Sequence, residues 1–128
     1  NSGLLPNENC VEDKIWKEWE NFVMNIYEMI NPDSIRYKQF PNKSIPDLFI
    51  PKQNMVVEIK TNASDTTIHS DVNKYEPYCN KIEIWYLKGF PVKINNSKVV
   101  FRGPKYMKSI IKNDGNLMSD FQSLLAKV

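Results

Sequence analysis

From Val11 to Ile30, apolar side chains return at Ile15, Trp16, Trp19, Phe22, Val23, Ile26, Tyr27 and Ile30. Steps of three and four predict an amphipathic helix. Asn9 is placed to cap its start. Asn31-Pro32-Asp33 should stop it, because proline disfavours helical geometry in the residue before it. The period then shortens to two. Ile35 to Phe40 alternates like a strand, Pro41 to Ser44 favours a turn, and Ile45 to Ile50 reads as a second strand. Pro51 to Asn54 makes another turn, and Met55 to Thr61, rich in β-branched residues, a third strand. Asp65 to Glu76 follows as a short helix, with Asp65 as cap, Pro77 limiting its end, and Ile68, Val72 and Tyr75 facing inward. Lys81 to Leu87 is a mostly buried strand ended by Gly89, and Lys98 to Phe101 a further one. Two amphipathic segments, Pro104 to Lys112 and Leu117 to Val128, close the chain as helices parted by Asn113-Asp114-Gly115.

The turn at 51–54 fixes a register. A tight hairpin there sets Ile50 opposite Met55 and Phe49 opposite Val56, and counting on, Asp47 opposite Glu58. Opposed residues of antiparallel strands point to the same face with Cβ atoms ~5 Å apart. Lys60 shares that face, while Leu48, Val57 and Ile59 line the other as an apolar layer, so one face is expected as core and the other as site. Two carboxylates ~5 Å apart repel by about 3 kcal/mol at an effective dielectric near 20, so stability does not explain them. A divalent cation reverses the sign. Mg²⁺ takes oxygen ligands from one or two carboxylates plus water and substrate phosphate, and a nearby lysine can orient or deprotonate the attacking water and offset developing charge.

Composition narrows the partners. At 128 residues one domain suffices, and 41% hydrophobic with 25% charged residues fits a folded globular chain. The net charge of +2 leaves room for a local basic patch but not a global field. Every basic residue except Arg36 and Arg102 is lysine, which grips phosphates better than it reads base edges. Cys10 and Cys79 lack metal-ligand spacing, and the sole histidine, His69, excludes a His-rich metal site and is expected at the surface. No apolar run reaches a membrane span, and no apolar leader accompanies the sequons at Asn42, Asn62 and Asn95. A cytoplasmic location, or wherever its nucleic acid resides, is expected over secretion. The start at Asn1-Ser2-Gly3 suggests a domain excised from a longer protein.

Pro46-Asp47, ten intervening residues and Glu58-Ile59-Lys60 resemble the signature of the PD-(D/E)XK nuclease superfamily, over Val11 to about Leu87. The resemblance implies an α/β (α+β) fold with the restriction endonuclease-like αβββαβ core: a mixed central sheet flanked by helices, here with C-terminal helices added. It implies a metal-dependent endonuclease hydrolysing DNA phosphodiester bonds. Asp47, Glu58 and the Ile59 carbonyl would hold Mg²⁺, with Mn²⁺ as substitute, and Lys60 would assist the water. The superfamily often adds a first-helix acid. Glu12 projects into the apolar stripe and is the candidate, its competing reading being a capping-box partner of Asn9; Glu18 and Glu20 flank the stripe as weaker ones. Lys74 and Tyr78 occupy the region where the family contacts phosphate or water, against a reading of Lys74 as a solvated charge and Tyr75 as core. Arg36 and Lys38 would add phosphate contacts from one face of the first strand, or make a merely polar face.

Two rivals share these residues: a non-catalytic nuclease-like module binding nucleic acid or protein, and an RNA endonuclease with the same site. DNA is the leading partner. With two arginines and no reading helix, specificity is expected from a fused or separate recognition domain, with homodimerisation a further option.

Overall fold

The computed structural model describes residues 8–128, and side chains from Lys14 onward. In chain order it contains α1 (Glu8–Ile30), β1 (Ile35–Arg36), β2 (Leu48–Ile50), β3 (Met55–Ile59), α2 (Thr67–Tyr75), β4 (Lys81–Trp85), β5 (Val99–Arg102), α3 (Pro104–Ile111) and α4 (Gly115–Leu125). The five strands form one mixed sheet in the order β1-β2-β3-β4-β5, antiparallel from β1 to β3 and parallel from β3 to β5. Helices cover both faces. The chain is therefore a mixed α/β domain with a five-stranded sheet between helical layers.

Alternation along the strands divides the core in two. Leu48, Ile50, Met55, Val57, Ile59 and Trp85 face α1, α3 and α4, where Trp19, Val23, Met107 and Phe121 complete a buried cluster. Phe49, Val56, Ile82 and Ile84 face the other way, under Ile68, Val72 and Tyr75 of α2 and under Phe40. The expectation of one apolar and one open face is thus corrected: every residue of β3 is buried. Covering a second face with a helix is the ordinary fate of strands that pair in parallel on one side.

Several boundaries shift for local reasons. α1 already begins at Glu8, so Asn9 lies inside its first turn and not at its cap. Ile30, counted in the apolar stripe, is 63% exposed, while Met24 is fully buried. The first strand stops at Arg36 because Tyr37 adopts a left-handed backbone, φ 54°. The second starts at Leu48 rather than Ile45. Pro46 has no amide hydrogen, and the Asp47 amide donates to the Glu58 carboxylate at 3.0 Å instead of to a ladder carbonyl. The N-cap of α2 is Thr66 and not Asp65; Asp65, one residue earlier, holds the turn into the helix, its Oδ1 accepting from the Thr67 amide at 2.9 Å and the Thr67 hydroxyl at 2.7 Å. The segment after Leu87 is integral to the fold, since β5 extends the sheet and α3 and α4 supply Met107, Ile111, Phe121 and Leu124 to the core.

Candidate active site

The β2–β3 register pairs Leu48 with Val57, Phe49 with Val56 and Ile50 with Met55. One step beyond the ladder, Asp47 and Glu58 meet. Each carboxylate is held by the other's strand: Glu58 Oε1 accepts from the Asp47 amide at 3.0 Å, and Asp47 Oδ2 accepts from the Ile59 amide at 2.8 Å. Among the described residues no donor reaches Asp47 Oδ1 or Glu58 Oε2.

Burial raises both acids. Asp47 is pushed up to about 6, first by loss of solvent and then by the charge of Glu20, with the Ile59 amide pulling the other way. Glu58, only 6% exposed, rises well above the ordinary glutamate range, first through burial and then through Asp47, with Asp71 adding to it and Lys60 opposing. Tyr75, whose hydroxyl donates to the Ile45 carbonyl at 3.2 Å, packs close by; burial and the Glu58 charge raise its pKa and keep it protonated. These groups are costly to bury as anions.

Lys60 lies at the end of β3 on the same face as Glu58. Its Nζ pairs with Asp71 Oδ2 at 2.8 Å and donates to Thr67 Oγ1 at 3.2 Å, both on α2. Its backbone carbonyl accepts from Trp19 Nε1 at 2.9 Å, which ties the strand end to α1. Burial disfavours the ammonium, but the Asp71 hydrogen bond and the charges of Asp71, Glu58 and Asp65 outweigh it and raise its pKa. Lys60 therefore remains a cation at neutral pH. In this arrangement it can orient an oxygen and offset negative charge, and it has no free lone pair with which to take a proton.

The chain matches no protein-family model, no characterised protein and no solved structure.

The acid that α1 brings to the pair is Glu20. It is 2% exposed, accepts from the Tyr37 hydroxyl at 2.9 Å, and interacts with Asp47. The sequence placed Glu20 only at the flank of the apolar stripe, four residues after Trp16 and three before Val23, as a weaker candidate than Glu12. Glu12, the first candidate, is on α1, but its side chain lies outside the described residues. Asp71 is a second acid that the sequence did not single out. Its signal was its place in α2, three residues after Ile68 and four before Tyr75, on the flank of the inward stripe.

The proposed phosphate contacts do not gather at the acid pair. Arg36 is held by Glu28 at 2.7 and 2.8 Å and by Asn25 at 3.1 Å, both on α1. Lys38 sits over the Phe49 ring, 5.8 Å from its centre, on the α2 side of the sheet. Arg36 and Lys38 are thus on opposite faces and not one, because the left-handed Tyr37 breaks the alternation between them. Tyr78 stacks on Phe40 with ring centres 5.1 Å apart, as a packing residue. Lys74 is exposed and Tyr75 buried. Ile59 reaches the pair through its amide. His69 is at the surface.

Among the described residues no three His, Cys, Asp or Glu side chains form a metal-ligating group. A two-carboxylate donor set with unengaged oxygens still fits Mg²⁺, which keeps several waters and needs only one or two protein carboxylates.

Proposed function

We propose that the chain is a metal-dependent endonuclease domain with a restriction endonuclease-like core, hydrolysing DNA phosphodiester bonds at Asp47, Glu58 and Lys60. The observation that carries this reading is the pair formed by half-buried Asp47 and buried Glu58, fixed by reciprocal amide hydrogen bonds beside a lysine. Two adjoining acids under a helix weaken the fold, and such groups are most often kept for chemistry. Asp47 and Glu58, with the Ile59 carbonyl, would hold Mg²⁺ or Mn²⁺, which when bound supplies Lewis-acid stabilisation of the phosphorane-like transition state.

The residues of the chain then have separable tasks. The amides of Asp47 and Ile59 fix the two carboxylates. Lys60, a cation, orients the attacking water and offsets charge on the phosphoryl oxygens, with Thr67 and Asp71 setting where its ammonium rests. Glu20 adds negative potential beside Asp47. Both arginines are held in internal ion pairs, Arg36 with Glu28 and Arg102 with Glu83. That supports sequence recognition by a fused or separate domain.

The test uses labelled duplex, branched and single-stranded DNA, and RNA, with Mg²⁺ or Mn²⁺. Cleavage is expected from the wild type. Lys60→Ala should lose roughly 10²–10³-fold in rate while keeping its fold and its metal affinity; undiminished cleavage by that variant rejects the assignment. A second reading, a non-catalytic nucleic-acid or protein binding module, draws support from the closure of the site, where Glu58 is 6% exposed and Lys60 is engaged by Asp71. Calorimetry showing no Mg²⁺ or Mn²⁺ binding at millimolar metal would favour it.

A further inference from the structure

On the far side of α2 from Lys60 lies a groove of about 190 Å³, between that helix and the extended segment 93–96. Its polar lining is His69, Asn73, Lys93, Asn95 and Asn96, with Val72 and Ile94 between them. There is no acid in it, although the chain carries 15. The Lys93 ammonium and the side-chain amides of Asn73, Asn95 and Asn96 are donors of the kind that hold a phosphate.

Three residues before Lys93, Phe90 is 88% exposed, the most exposed of the large apolar side chains among the described residues. Its loop is held rigidly. The Ala63 amide donates to the Lys88 carbonyl at 2.9 Å, and the Val92 amide donates to the Ala63 carbonyl at 3.0 Å. Gly89 takes φ +83°, with Asn62 packed where a side chain would start, and Pro91 restricts the residue before it. An aromatic ring presented on a fixed loop between Lys88 and Lys93 costs solvation without contributing to the core, and it loses little entropy when something stacks on it. The same loop is bonded to residues 61–63, the continuation of β3 beyond Lys60.

We infer that this surface docks one single strand of nucleic acid, with a phosphate in the His69–Asn73–Lys93 groove and a base stacked on Phe90. The inference rests on the proposed function for the class of ligand. Cation-lined grooves beside aromatic platforms are how proteins hold single strands without reading sequence. On α2, Thr67 and Asp71 flank one side of the inward stripe and His69 and Asn73 the other, so the groove and Lys60 lie on opposite flanks of that helix.

The test measures binding in chelator, where cleavage plays no part. Phe90→Trp supplies a fluorophore at an exposed site and leaves the core untouched. An oligothymidylate should quench it, and an abasic strand of equal length should not. Phe90→Ala should weaken oligothymidylate binding about 5- to 150-fold and abasic binding hardly at all, the range expected for one stacked base. Lys93→Glu should weaken both strands, and Lys93→Ala should reduce the steepness of the salt dependence by about 0.7. Equal quenching by the two strands, unchanged affinity in Phe90→Ala, or a preference for a phosphopeptide over the oligonucleotide would each overturn the inference. Cleavage is scored separately. Phe90-dependent binding by a chain that never cleaves supports the docking surface and sinks the proposed activity; cleavage with an unaltered KM in Phe90→Ala does the reverse.

Discussion

Replacing Asp47 with asparagine isolates the cost of the acid pair. The side chain keeps its shape, and its amide oxygen can still accept from the Ile59 amide, the bond that Asp47 Oδ2 makes at 2.8 Å. Only the buried charge is lost. In the folded chain the Asp47 carboxyl rises from 3.8 to about 6. At about 1.36 kcal/mol per unit, ionising it there costs roughly 3 kcal/mol at neutral pH, a ceiling reached only if the new amide nitrogen finds a partner. Between the two pKa values the folded state holds a proton that the unfolded chain has released. Stability contributed by this group therefore falls as pH rises from about 4 to about 6, and is flat above. Glu58 is raised as well and contributes in the same direction. In urea titrations, the wild type should gain stability as pH drops from neutral to about 5. Asp47→Asn should be more stable than wild type by about 1–3 kcal/mol at neutral pH and should show a shallower pH dependence. Adding Mg²⁺ or Mn²⁺ should stabilise the wild type, by about 2.7 kcal/mol at a hundredfold excess over Kd, and leave the variant unmoved. An Asp47→Asn chain less stable than wild type at neutral pH, with an unchanged pH profile, would refute this account and make Asp47 a structural residue.

Other substitutions probe the surroundings. Glu20→Gln should retain the Tyr37 hydrogen bond and the fold, measured by urea titration, yet lower the Asp47 pKa, read by carboxyl NMR; an unmoved Asp47 would remove Glu20 from the site. Glu83, 5% exposed, accepts from the Tyr27 hydroxyl and pairs with Arg102 at 3.3 Å and Lys81 at 3.2 Å. Glu83→Ala should therefore cost about 1–3 kcal/mol in the same titration, because it removes the acceptor of the Tyr27 hydroxyl and the partner of half-buried Arg102. Gly89→Ala places a Cβ 2.2 Å from Asn62 Oδ1 at a φ of +83° and should cost at least about 1 kcal/mol; a neutral result would show that the loop is free to rearrange.

The hairpin register was legible because a side-chain period of two and a four-residue turn admit one pairing that buries Leu48, Ile50, Val57 and Ile59 together. That register alone puts Asp47 across from Glu58, and Lys60 follows two residues on. The first helix, the helix at α2 and the order of the strands were likewise written in local periodicity. Local pattern could not say what covers the site face. α2 closes over it only because the parallel pairing of β3 with β4 needs a crossover, and that crossover carries Thr67 and Asp71 to the Lys60 ammonium. Nor could it choose among the acids of α1. A helical wheel gives an angle but not the roll of the helix against the sheet, which Trp19, bonded to the Lys60 carbonyl, fixes so that Glu20 is buried beside Asp47. The same holds for the basic residues. Their number is a property of the sequence, whereas a single left-handed residue, Tyr37, sends Arg36 to Glu28 on one face and Lys38 to Phe49 on the other. Spacing along the chain sets which side chains share a face, and packing between distant elements sets which faces meet.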